Sequence, residues 1–162
     1  MNEHFDKIIS YLKEENAEYD YDEEKEILNI VVGENSSGNN IYESITYSGY
    51  VFCSYMSIYF DQNVDLTDED LNRMAEFFHR ANYGMIRGNF EFDFDRKIVR
   101  FKHYFDKSIL SDKDYTMFNI VLPVKMFTKY TNGLDDILTT NIPPKEIIKK
   151  IESESSNNEK DT

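Results

Sequence analysis

The chain has 162 residues, with 31 Asp and Glu against 18 Lys and Arg, giving a formal net charge of −13 at pH 7. So acidic a balance excludes the usual nucleic-acid binder, which neutralises phosphates with a basic face. The length suits a single hydrophobic core without staples, and 12 Phe with 12 Tyr are more ring carbon than a disordered chain carries.

Cys53 is the only cysteine, so no intrachain disulfide forms. The opening MNEHFDKIIS lacks the basic n-region and long apolar run of a secretory leader, and a reducing, cytoplasmic setting is expected. No apolar stretch approaches the roughly 20 residues of a membrane-spanning helix. The sequon Asn35-Ser36-Ser37 therefore reads as a turn.

In chain order, Phe5, Ile8, Ile9 and Leu12 fall at i, i+3, i+4 and i+7, which gathers them on one face of a helix. After the acidic segment 18–26 come β-rich runs at 27–33, 41–48 and 51–60, separated by turn residues at 35–40 and by Ser48-Gly49. They predict an antiparallel meander. Thr67, three residues before Asp70, forms an acidic variant of the capping box, and Leu71, Met74, Ala75 and Phe78 repeat at helical spacing. A second helix is predicted at 68–82.

Phe90, Phe92 and Phe94 then alternate with Glu91, Asp93 and Asp95, one face apolar and the other acidic. A return strand at 98–105 fits a hairpin in which Phe92 faces Phe101, Phe94 faces Val99, Asp93 faces Arg100 and Glu91 faces Lys102. Arg96-Lys97 is poor chemistry for a two-residue primed turn, which leaves room for a longer loop. A third helix is predicted at 113–131 with Met117, Ile120, Val121, Val124 and Phe127 on its buried side, kinked or broken at Pro123. Short helices follow at 134–138 and 144–151. The fold class is α+β, an antiparallel sheet of about five strands with helices on one face, in the order α-β-β-β-α-β-β-α. Residues 1–152 form one domain. Residues 153–162, without an apolar side chain, form a disordered tail.

The chemical motifs fail in detail. Asp61, Asn63 and Asp65 have calcium-loop spacing, but Leu66 and Asn72 stand where glycine and a bidentate glutamate are needed. Gly33 and Gly38 have phosphate-loop spacing, but Asn39-Asn40 replaces the Lys-Ser/Thr pair. His4, His79 and His103 have no partner at metal-ligand spacing and read as surface or packing residues. Cys53, without an activating context, reads as a packed structural thiol. The acid clusters at 20–26 and 65–70 supply paired carboxylates, the basis of an alternative as a small metal-dependent enzyme, although such runs usually serve solubility. No cofactor or metal is expected. A further alternative is an acidic mimic that occupies a nucleic-acid-binding protein. With Phe52, Met56, Ile58 and Phe60 beneath the helices, alternation turns Tyr42, Tyr55, Tyr59 and Tyr104 to the opposite sheet face, a candidate protein-docking platform.

The run from Leu71 through Ala81-Asn82-Tyr83-Gly84, followed by Gly88-Asn89-Phe90-Glu91-Phe92-Asp93-Phe94 and Val99-Arg100-Phe101, resembles the YbjN family of bacterial sensory transduction regulators. The shared features are a helix ending in asparagine near an aromatic residue, a glycine opening a strand of alternating apolar and acidic residues, and a return strand with a basic residue. Element order extends the resemblance towards the type III secretion chaperone-like fold. It implies a small, acidic, non-enzymatic protein that binds other proteins, often as a dimer, and it carries over no catalytic residue. The long Asn-rich turn, Pro123 and the helix after Pro143-Pro144 depart from the pattern.

Overall fold

The computed structural model describes residues 2–34, 40–60 and 65–158, the side chains of 155–158 excepted. The sequon, the glycine spacing after Gly33 and the Asp61 and Asn63 positions lie outside the described residues.

Among the described residues, six strands form one antiparallel sheet: β1 (Tyr19–Asp22), β2 (Ile27–Glu34), β3 (Asn40–Tyr47), β4 (Val51–Tyr59), β5 (Asn89–Asp93) and β6 (Ile98–Asp106), in the spatial order β1-β2-β3-β4-β6-β5. The helices are α1 (Glu3–Glu14), α2 (Asp68–Asn82), α3 (Lys113–Thr131), α4 (Leu134–Thr139) and α5 (Pro144–Asn158), with a 3₁₀ turn at Lys107–Ser111. No described helix is long and apolar enough to cross a membrane.

The sixth strand is β1, which the expectation lacks. Its alternation Tyr19-Asp20-Tyr21-Asp22 is hidden within an acidic run, yet it pairs with β2, Tyr21 opposite Leu28 and Asp20 opposite Asn29. Asp22 then shapes the turn, accepting from the backbone N–H groups of Glu24 at 3.1 Å and Lys25 at 3.0 Å. The meander β2-β3-β4 is as expected, with Leu28 opposite Ile45 and Ile45 opposite Ser54.

The chain divides into two compact units, Met1–Met56 with Phe101–Lys125, and Ser57–Arg100 with Met126–Thr162. In the first, α1 buries Phe5, Ile8, Ile9, Tyr11 and Leu12, each apolar side chain contributing about 1.5–3 kcal/mol. Phe5, Ile8, Ile9 and Leu12 pack in one cluster with Leu28, Ile45 and Phe52. Phe5 meets Phe52 edge-on at 5.4 Å, and Phe52 stacks on Phe105 at 5.0 Å. The Tyr11 hydroxyl, buried with its ring, donates to the Leu110 carbonyl at 2.8 Å.

In the second unit, α2 starts on the expected capping box: the Thr67 hydroxyl accepts from Asp70 N–H at 3.1 Å, and Asp70 Oδ2 accepts from Thr67 N–H at 3.0 Å. Its buried residues Met74, Phe77, Phe78 and Ala81 face β5, α4 and α5. Phe78 lies 4.8 Å from Phe90, which meets Tyr130 edge-on at 5.8 Å. Gly133 is required by close packing, since a Cβ there would sit 2.9 Å from both Phe77 Cζ and Ile151 Cδ1.

The hairpin departs from its expected register. β5 ends at Asp93 and β6 begins at Ile98, leaving residues 94–97 as a four-residue loop with Lys97 at φ 52. Phe94 therefore leaves the ladder and is 47% exposed, and Arg100 pairs with Glu91 rather than Asp93, Nε to Oε2 at 2.6 Å. These ends fit a register moved by two residues, which keeps every side chain on its expected face because the side-chain period is two. Phe90 is buried, whereas Phe92 is only half-buried.

Helix α3 continues through Pro123 and does not break there. Ile120 and Phe127 are buried as expected, but Val121 is 40% exposed while Thr116 and Asn119 turn inward. Apolar residues surround this helix, so spacing alone does not select its buried face. The inward polar groups are satisfied: Thr116 Oγ1 lies 2.7 Å from Asp112 O, and the Asn119 amide donates to Tyr115 O at 2.7 Å. Helix α5 runs to Asn158, past the expected start of the tail at Ser153. Buried Ile147 and Ile148 anchor its early turns, and extending a formed helix is far easier than starting one.

Candidate functional site

The outward face of the sheet in the first unit carries three of the four candidate tyrosines. On β3, the residues beside Glu43 and Ile45 turn outward, so Tyr42, Ser44 and Thr46 share that face. Ser44 sits between Asn29 on β2 and Tyr55 on β4, and its hydroxyl donates to Asn29 Oδ1 at 2.7 Å. The half-buried Tyr55 hydroxyl lies 3.2 Å from Thr46 Oγ1. Burial above all pushes the Tyr55 phenol up, with Cys53 and Tyr104 adding to the shift. Tyr104 is 50% exposed with Lys102 Nζ 5.2 Å from its ring centroid, and Tyr42 is 46% exposed. Tyr59, at the end of β4, is 73% exposed and belongs to the second unit. Cys53, opposite Thr46 on this face, is buried.

The inward face of the same unit holds a polar set absent from the expected site. Glu43 is fully buried. It stands opposite Ile30, on a strand where Ile41, Glu43 and Ile45 alternate, so the signal lies in the sequence: an acid in a core-facing slot. The Ser54 hydroxyl donates to Glu43 Oε1, while Oε2 has no hydrogen-bond partner. Burial pushes this carboxyl up to about 8, against the opposing pull of the Ser54 hydrogen bond. His103, 2% exposed, is buried rather than at the surface; its Nε2 donates to Asn119 Oδ1 at 3.0 Å, because the Asn119 nitrogen already serves Tyr115 O.

β4 and β6 are neighbours, and the stacked pair Phe52 and Phe105 marks where they meet. Glu43, Ser54, His103 and Asn119 are all buried, Glu43 bonded to Ser54 and His103 to Asn119.

One carboxylate in each acid cluster is engaged locally, Asp22 in the β1–β2 turn and Asp70 in the α2 capping box. Asp22 is held below the usual carboxylate range by the Lys25 backbone N–H, and Asp70 by the Thr67 hydroxyl. Both organise local backbone, and a general acid requires a shift in the opposite direction. Among the described residues, no group of three or more His, Cys, Asp or Glu is placed to hold a metal ion.

No family model matches this chain, and neither the curated proteins nor the solved structures contain a match.

Proposed function

We propose that this chain is a non-enzymatic protein-interaction module, of the kind represented by YbjN-type regulators and type III secretion chaperones, acting in the bacterial cytoplasm. Its partner docks on the outward sheet face of the first unit, at Tyr42, Tyr55 and Tyr104. The carrying observation is that Tyr42 and Tyr104 stand half exposed on a hydrogen-bonded sheet, with Tyr55 partly embedded. Rings held by a rigid ladder lose little entropy on binding, and their hydroxyls stay hydrogen-bonded.

The face is favoured over edge addition at β5. Asn82 already occupies that edge, its Oδ1 accepting from Phe90 N–H at 2.7 Å and its Nδ2 donating to Phe90 O at 2.9 Å. An added strand would have to displace both bonds.

The test is affinity capture with wild type, the Tyr42→Ser/Tyr104→Ser double variant and a Tyr83→Ser control, Tyr83 being 96% exposed outside this face. The expected result is one prey bound at least about tenfold more weakly by the double variant and equally well by the control. Retention by the folded double variant overturns the proposal. Binding that collapses in moderate salt points instead to an acidic mimic.

A further inference from the structure

Glu43 takes no part in the docking surface, and its surroundings are unusual for an acid. The carboxyl is fully buried, receives one hydroxyl hydrogen bond and leaves Oε2 with no hydrogen-bond partner. A carboxylate in such a place lacks the donors that a buried charge requires, whereas a neutral carboxyl needs far fewer. The groups beside it do not supply the deficit. Ile30 faces it from β2 and Ser54 neighbours it on β4.

Among the described residues, the other titratable groups turned to this side are Tyr19 and Tyr21 of β1, Tyr47 of β3, His103 of β6 and Tyr11 of α1, with His4 beside Tyr47. None is a lysine or arginine. Tyr11 is committed to Leu110 O, and His103 reaches Asn119.

We propose that Glu43 is a proton-release switch for the first unit: the packed sheet and helix layer holds its carboxyl neutral, and ionisation opens that layer to water. The proton leaves to solvent, and the charged carboxylate regains the donors that the closed core withholds. Ser54 sets the threshold, because its hydroxyl donates to the carboxyl and so favours the ionised form. Between the ordinary carboxyl value of 4.5 and about 8, the folded chain holds a proton that the unfolded chain has already released. Raising the pH through that window therefore shifts the equilibrium towards the open form, by up to about tenfold per pH unit. Above the window both states are ionised and the dependence ends.

The test combines infrared spectroscopy of the carboxyl stretch with hydrogen exchange between pH 5 and 9, corrected for the intrinsic exchange rate. Wild type is expected to show a protonated, non-hydrated carboxyl band at pH 6 that fades at alkaline pH, together with loss of protection in β3 and β4. Glu43→Gln should lack the band and keep its protection across the range. Ser54→Ala should move both transitions to higher pH. An ionised Glu43 in folded wild type at pH 6 overturns the proposal, and the infrared measurement decides this even where a variant fails to fold. Equal pH profiles for wild type and a folded Glu43→Gln also overturn it.

Discussion

In the second unit Asn82 ends on both polar atoms of Phe90, and the Arg73 guanidinium on the carbonyls of Thr140 at 2.7 Å and Ile142 at 3.0 Å. In the first unit Glu43 ends on a single hydroxyl, with half of its carboxyl unserved. A polar group whose bonding capacity is used ties elements together under most conditions. One left short makes the packing around it depend on its charge. The same type of core, ring against ring, is thus constitutive in one unit and conditional in the other.

Substitutions at three positions sharpen this contrast. The largest effect is expected from Phe77→Ala, which removes a fully buried ring between α2 and Gly133. It should destabilise the second unit by about 3–5 kcal/mol in urea unfolding. A cost that varied strongly with pH between 5 and 9 would break the contrast. Asn82→Ala should cost about 1–3 kcal/mol by removing the acceptor of the Phe90 N–H, while the Phe90 carbonyl keeps a bond from Asn89 Nδ2 at 3.3 Å. The Phe90 amide should then exchange faster, and Asn82→Asp, which accepts but does not donate, should restore only part of its protection. The smallest change is Thr67→Ala, which removes the hydroxyl from the α2 capping box. A loss of about 1 kcal/mol is expected, with faster exchange confined to the first turn of α2.

The parts of the fold that were legible in the sequence are those decided within a few residues. Helix α1 follows from the spacing of Phe5, Ile8, Ile9 and Leu12, and α2 begins at its capping box because Thr67 and Asp70 are close enough to bond each other. The meander follows from runs of β-branched and aromatic residues between turn residues. Strand β1 was legible in its alternation, but five acidic residues between 18 and 24 conceal it from a reading that weighs charge first. The tyrosine face followed from the same period of two for Tyr42, Tyr55 and Tyr104. Glu43 was legible by that rule as well, in the core-facing slot between Ile41 and Ile45.

By itself, then, the sequence determined the element types, most of their boundaries and which side chains share a face, because backbone geometry converts residue spacing directly into direction. It left open the hairpin register, since a shift of two residues preserves both faces and the four-residue loop chooses between them. It also left open which side of α3 turns inward: Thr116 and Asn119 each bond the carbonyl four residues earlier in the chain, but the Asn119 oxygen is acceptable in a core only where His103 stands ready to bond it. That partner comes from a strand brought to the helix by the tertiary structure, and the state of Glu43 belongs with it: its charge depends on the water that the folded layers exclude.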